Sequence, residues 1–160
     1  MHKKKPIYLD YQGSTPLARD VWQSMKPYFE GHHTNPHASN IGAQIAMKSI
    51  NESQLWVSRL LNCDSDEFFF TSGATESNNT ALSGIILSNK LCKRPFQNKD
   101  TVIISSIEHS SISRTAENLA KLYSLTVKEI PVDKNGFINE QAYEEALTER
   151  VLLVSIMAVN

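Results

Sequence analysis

The chain has 160 residues and a formal net charge of -1, with a pI near 6.5. That balance leaves no surplus of basic charge for a nucleic-acid backbone or an anionic membrane, which argues against both partner classes. Hydrophobic residues at 41% and charged residues at 21% fit a soluble globular chain able to bury a core.

The amino terminus opens with a basic run, Lys3, Lys4 and Lys5, read as a solvated end rather than a tag. It has no apolar core of the signal-peptide kind, and no stretch reaches the roughly 18 apolar residues of a membrane helix. The expected compartment is the cytoplasm. Up to about Leu60 the chain is rich in Gly, Pro, Asn and His loops and carries two helical patterns. The first is expected over Ala18–Phe29, just after Pro16, with Pro27 disturbing its last turn. The second runs from about Ile41 to Leu61. There Ile45, Ser49, Glu52, Trp56 and Leu60 recur at helical spacing, and Val57 and Leu61 widen the apolar stripe.

The rhythm changes from Glu67. Residues Glu67–Thr71 read as a short apolar strand, and Thr75–Ser88 as a helix with Ala81, Leu82, Ile85 and Ile86 on one face. Val102–Ser105 reads as a strand, Ser111–Tyr123 as a helix and Thr126–Val132 as a strand. Asp133–Gly136 is a turn, because Asn-Gly tolerates positive φ. Asn139 caps a helix running to about Leu147, and Val151–Ile156 is a last apolar strand. Strands alternating with helices predict an α/β fold of three layers, a largely parallel sheet covered by helices. The strands are apolar runs without alternation, which suits burial on both faces. The expected organisation is residues 1–62 as loops and helices and residues 63–160 as part of an α/β domain. An interior-type strand so near Asn160, with no closing helix, predicts a chain that is the amino-terminal part of something longer. A carboxy-terminal edge strand is the alternative.

Three groups of residues carry possible chemistry. Thr71-Ser72-Gly73-Ala74-Thr75-Glu76-Ser77 follows a strand and opens a helix. A helix amino terminus offers unpaired N–H groups and the positive end of the macrodipole, which together suit a phosphate. The competing reading is that Ser72 or Thr75 only caps the helix. Glu108-His109-Ser110-Ser111 follows the next strand, and residues past the carboxyl end of a parallel strand face the ligand crevice. This puts His109 on the same rim as Thr75, where an imidazole can stack on an aromatic ligand or move a proton. A lone surface His, with Glu108 paired to a neighbour, is the plainer alternative. His32, His33 and His37 cluster in sequence, but Pro36 interrupts any helix that would align them, and no metal site is expected. Cys63 and Cys92 lack metal spacing and are expected as free thiols.

Taken in order, these pieces resemble the cysteine desulfurase family of class V aminotransferase-like enzymes. Ile7-Tyr8-Leu9-Asp10-Tyr11-Gln12-Gly13-Ser14-Thr15-Pro16 is similar to the family's opening motif, and Asn35-Pro36-His37-Ala38-Ser39 to its following loop. Phe70-Thr71-Ser72-Gly73-Ala74-Thr75-Glu76-Ser77-Asn78 resembles its phosphate-binding turn, and Glu108-His109 its ring-stacking histidine. Val154-Ser155-Ile156-Met157-Ala158-Val159-Asn160 resembles the strand entering its Asn-Asn-Glu motif. The resemblance implies the large domain of a fold-type I enzyme of pyridoxal 5'-phosphate. Gly73, Ala74 and Thr75 would bind the cofactor phosphate, and His109 would stack on its ring and serve catalysis. The family asparagine that contacts the cofactor would follow Asn160.

The resemblance also implies what is missing. The family's Schiff-base lysine sits in a Ser-Gly-His-Lys-like context that none of Lys90, Lys93, Lys99, Lys121, Lys128 and Lys134 has. Its acidic partner for the pyridinium nitrogen and its sulfur-accepting loop cysteine have no counterpart, and neither Cys63 nor Cys92 lies in a comparable motif. An intact relative would take L-cysteine to L-alanine and an enzyme persulfide. It would pass sulfur to acceptor proteins for iron–sulfur clusters or tRNA thiolation, and would work as a homodimer. These residues alone are expected to be inactive. The alternatives are a non-catalytic α/β module that binds a phosphate-bearing ligand, and a selenocysteine-lyase-like relative.

Overall fold

A computed structural model describes residues 7–11, 13–31, 33–91 and 98–159. The basic run at Lys3–Lys5, together with Gln12, His32, Cys92, Lys93 and Asn160, lies outside the described residues. The chain divides into two compact units, the first ending at Phe70 and the second beginning at Thr71.

In the first unit, α1 (Arg19–Glu30) contains Pro27 yet closes regularly, with Gly31 N donating to the Pro27 carbonyl at 2.9 Å. The expected disturbance is absent because Pro27 lies near the helix end. Its missing N–H removes a single ladder bond, and the turn beyond it keeps its own. Helix α2 (Ile41–Leu61) starts at Asn40, whose Oδ1 accepts from Ala43 N at 2.9 Å, and stops at Asn62, in the left-handed region at φ 55°. Its buried line is Ala43, Ala46 and Ser58, not the expected stripe: Trp56 is 70% and Leu60 84% exposed. Gln54 shows why. Its Nε2 donates to the Ser65 carbonyl at 2.5 Å and the Phe68 carbonyl at 2.7 Å. The chain after α2 is thereby drawn back onto a small, polar face that hydrophobic periodicity does not register. The same bonds keep residues 63–70 with the first unit.

A single 3-10 turn, Ser65–Glu67, follows, closed by a reciprocal cap in which Glu67 Oε2 accepts from Asp64 N at 2.9 Å. Here the structure corrects the expected strand at Glu67–Thr71. Glu67 belongs to the 3-10 turn, and Phe68 is extended at φ -115°, ψ 131° but has no ladder partner among the described residues. The Phe68 and Phe70 rings pack edge to face at 5.0 Å instead.

The second unit runs α3 (Ala74–Leu91), β1 (Thr101–Ser105), α4 (Ser110–Tyr123), β2 (Thr126–Ile130), α5 (Glu140–Ala146) and β3 (Val151–Ser155). The three strands form a parallel sheet in the order β2-β1-β3. The sequence Thr-Val-Ile-Ile-Ser makes β1 the central strand, buried at every position. Its alternate side chains serve two cores. Val102 and Ile104 pack with Leu82 and Ile86 of α3 and Ile112 and Ala116 of α4. On the other face Ile103 packs with Ile130, Ala146 and Val151. The result is the expected three-layer α/β arrangement, with α3 and α4 on one side and α5 on the other. The apolar face of α3 is narrower than the sequence suggests, since Ile85 is 41% exposed while Leu82 and Ile86 are buried.

Strand β2 stops at Ile130, short of the expected Val132. Val132 instead pairs antiparallel with Ile138 across the predicted turn. The Asp133 carboxylate holds that turn, with Oδ1 accepting from Asn135 N at 2.8 Å and Phe137 N at 3.0 Å. The positive φ falls on Gly136, at 86°. Asn139 Oδ1 caps α5 by accepting from Ala142 N at 2.9 Å, as predicted. At the amino edge of the sheet Asp100 N and Thr101 N both donate to the Arg150 carbonyl, at 2.9 and 3.0 Å. The Arg150 guanidinium grips the Asp100 carboxylate there and holds it below the usual carboxylate range. This pins the start of β1 to the start of β3.

Candidate functional site

The site lies at the carboxyl edge of β1, where the amino termini of α3 and α4 come side by side. The turn into α3 is built by its own short side chains. Thr71 Oγ1 sits 3.1 Å from the Gly73 carbonyl and 2.7 Å from Ser77 Oγ, and Ser77 N donates to the same Gly73 carbonyl at 3.1 Å. Gly73 has φ 157°, and a Cβ added there would meet nothing within 4 Å. Glycine is therefore suited to this place by backbone conformation and not by crowding. Ser72 N donates to Glu76 Oε2 at 2.6 Å. The Ser72 hydroxyl and amide together hold the Glu76 carboxyl below its ordinary range, so this acid is ionised and turned back onto the turn.

What remains open at this turn is a row of hydrogen-bond donors. The amides of Ala74, Thr75 and Glu76 have no acceptor among the described residues, and the Thr75 hydroxyl makes no hydrogen bond there either. Neither Ser72 nor Thr75 accepts from a helix amide through its hydroxyl, so the capping reading of those two residues has no bond behind it. Three unpaired N–H groups at the positive end of an 18-residue helix are the arrangement that binds phosphate oxygens.

His109 caps α4. Its Nδ1 accepts from Ser111 N at 3.1 Å and lies 2.9 Å from Ser111 Oγ. Asn78, one turn into α3, donates through Nδ2 to Ser111 Oγ at 2.8 Å. Asn79 accepts from the Thr115 hydroxyl through Oδ1 and donates through Nδ2 to the Thr75 carbonyl at 2.8 Å. These bonds clamp the first turns of α3 and α4 together, so that Thr75 and His109 stand at the amino ends of two adjoining helices. Glu108 faces inward. Its Oε1 accepts from Ser105 Oγ at 2.8 Å and from Met157 N at 2.6 Å, tying the exits of β1 and β3. It is paired to neighbours, the plainer of its two readings.

Asn78 and Ser111 belong to the two motifs singled out in the sequence but carry no role there, and Asn79 and Thr115 lie outside both motifs. The available signal was the Asn78-Asn79 pair inside a helix. Asparagine is a poor helix former that competes for backbone bonds, so two in succession point to partners outside the helix.

Elsewhere, His37 N donates to Asn35 Oδ1 at 2.9 Å within its loop. Among the described residues no group of three or more His, Cys, Asp and Glu side chains is placed to hold a metal. Cys63 is a half-buried free thiol just past α2. The donor set at α3 suits a phosphate monoester, and the exposed His109 ring beside it suits a planar aromatic ring. The residues present therefore fit pyridoxal 5'-phosphate.

A parallel three-stranded sheet with helices on both faces, two of whose helix amino termini meet at its carboxyl edge, defines an α/β protein. The aminotransferase class-V profile matches residues 7–160, and the chain belongs to that family. It is 37% identical over 157 residues to the cysteine desulfurase IscS of Rickettsia felis, covering 97% of this chain and 36% of that protein. To the IscS of Rickettsia akari it is 36% identical over 156 residues, with the same coverage. Among solved structures it is similar to a NifS-like protein (TM-score 0.85, 30% identity, 96% of this chain and 40% of the other). It is also similar to SspA in complex with cysteine (TM-score 0.84, 33% identity, 96% and 42%). The chain thus spans little more than a third of the length of the curated relatives it matches.

Proposed function

We propose that this chain is the cofactor-phosphate-binding portion of a cysteine desulfurase dependent on pyridoxal 5'-phosphate, an enzyme that takes L-cysteine to L-alanine and a protein-bound persulfide. The observation that carries the reading is the run of unpaired amides at Ala74–Glu76 beside the free Thr75 hydroxyl and the exposed His109 ring. Its support beyond the site is the family membership and the likeness to relatives named as cysteine desulfurases. Ala74 and Thr75 hold the phosphate through backbone N–H groups and the Thr75 hydroxyl, and Gly73 shapes the turn that exposes them. His109 would stack on the cofactor ring and offer a proton at Nε2. The cofactor, when bound, supplies the electron sink on which carbon–sulfur cleavage depends.

The remaining steps need a lysine and a thiolate nucleophile. No lysine of this chain stands in the family context, and Lys99 Nζ is committed to the Val151 carbonyl at the opposite edge of the sheet, at 2.9 Å. Binding is therefore assigned to residues 1–160 and turnover is not. In the working enzyme, acceptor proteins take the sulfur, two subunits assemble, and the compartment is the cytoplasm. No helix among the described residues is long and apolar enough to cross a membrane. A second reading, a phosphate-ligand-binding module without catalysis, rests on the same free amides together with that lack of a suitable lysine.

Titration calorimetry with pyridoxal phosphate and with inorganic phosphate tests the seat. Thr75→Val is expected to weaken both by about 1–3 kcal/mol, the loss of a hydrogen bond to a charged group. Equal affinities for the variant and the unaltered chain would remove Thr75 from the site.

A further inference from the structure

The hydrogen bonds around His109 dictate more than its position. A backbone N–H can only donate, so the bond from Ser111 N, at 3.1 Å, favours a lone pair on Nδ1 without by itself fixing it there. A neutral imidazole with a lone pair on Nδ1 carries its proton on Nε2. Ser111 Oγ reinforces the choice. It is 2.9 Å from the same Nδ1 and receives a hydrogen bond from Asn78 Nδ2 at 2.8 Å, which leaves its own proton free to point at the ring. Donation therefore runs in one direction, from Asn78 to Ser111 to His109. Ser111 is only 7% exposed, so water competes weakly for its hydroxyl. No hydrogen bond from Nε2 is formed among the described residues, and the ring is exposed at the rim.

We propose that Asn78 and Ser111 are positioning residues that fix the tautomer and orientation of His109, so that the neutral ring meets its ligand with Nε2–H as a donor. The proposal deepens the reading of His109 as the ring-facing residue and rests on it for its functional meaning, but the tautomer itself is measurable without any ligand. Nothing in the α4 cap alone would need Asn78, because the backbone amide bond to Nδ1 forms without it. The asparagine matters only if the hydroxyl must be held in its donating direction.

The test is long-range 15N–1H correlation NMR on the full chain labelled at histidine, with the His109 signals identified by their loss in His109→Gln. The unaltered chain is expected to show a single His109 species with the proton on Nε2. Ser111→Ala and Asn78→Ala leave the backbone amide as the one directed donor to Nδ1, so each is expected to let a second tautomer appear beside the first, and Ser111→Thr, which keeps the hydroxyl, to restore the single species. Thr115→Ala breaks the neighbouring clamp to Asn79 without touching this relay, and is expected to leave the His109 signals unchanged. A mixture in the unaltered chain would overturn the proposal. So would variants at Asn78 and Ser111 that keep the single species, or a Thr115→Ala that loses it equally. If Ser111→Ala does not fold, Asn78→Ala and Ser111→Thr decide. A fixed tautomer in a chain that does not bind pyridoxal phosphate would refute the cofactor reading and leave the positioning intact.

Discussion

Incubated with L-cysteine and pyridoxal phosphate, the 160-residue chain is expected to release no sulfide or alanine above the rate of free cofactor. The expected difference from a working desulfurase is the whole enzymatic acceleration, at least about a millionfold. The reason is chemical rather than structural. The reaction class needs an amine that bonds covalently to the cofactor and a thiolate that takes the sulfur. Lys99 is held at the amino edge of the sheet through the Val151 carbonyl, while the amino terminus of α3 and His109 lie at the carboxyl edge. Neither Cys63 nor Cys92 lies in a motif like that of the family's sulfur-accepting cysteine. The assay is sulfide and alanine release, repeated with Cys63→Ala and Cys92→Ala combined. Turnover above free cofactor that survives the double substitution would contradict the account.

The largest stability effect is expected at Ile104. It is fully buried in the central strand, among Leu82, Ile86, Ile112 and Ala116, so Ile104→Ala removes methylenes from the junction of three elements. The expected loss is about 2–5 kcal/mol. Against a typical total of roughly 5–15 kcal/mol for a domain, that is enough to populate the unfolded state. Ile85, a neighbour in sequence to Ile86 but 41% exposed, is the control: Ile85→Ala is expected to change stability by no more than about 0.5–1 kcal/mol. Urea unfolding of the two variants measures the contrast. Comparable losses at both positions would show that the sequence-predicted face of α3, which includes Ile85, is the packed one after all.

The second unit was the more legible of the two because its signals are redundant. The Val-Ile-Ile run of β1, the Asn139 cap and the Asn-Gly turn each point to one local structure, and parallel pairing then follows from the alternation of strands with helices. The first unit was less legible because its folded form is set by polar contacts. Gln54 holding two carbonyls leaves no mark in hydrophobic periodicity, so the buried line of α2 was misplaced. Likewise Glu67–Thr71 has strand composition, but an extended segment becomes a strand only when a partner pairs with it. At the site, Gly73, Thr75 and His109 could be picked out because each is an unusual residue at an element boundary. The clamp through Asn78, Asn79, Ser111 and Thr115 joins residues more than thirty apart in sequence. It stays hidden until the two helices are set side by side.

The central claim is that the amino terminus of α3 seats a phosphate next to His109. Backbone amide NMR during a titration with inorganic phosphate tests it most directly, because it reports the location of binding as well as its strength. The account predicts saturable shifts concentrated on the amides of Ala74, Thr75 and Glu76, with smaller ones at His109 and Ser111, and their marked weakening in Thr75→Val. Shifts absent from those amides, or centred on the basic run at Lys3–Lys5, would contradict it.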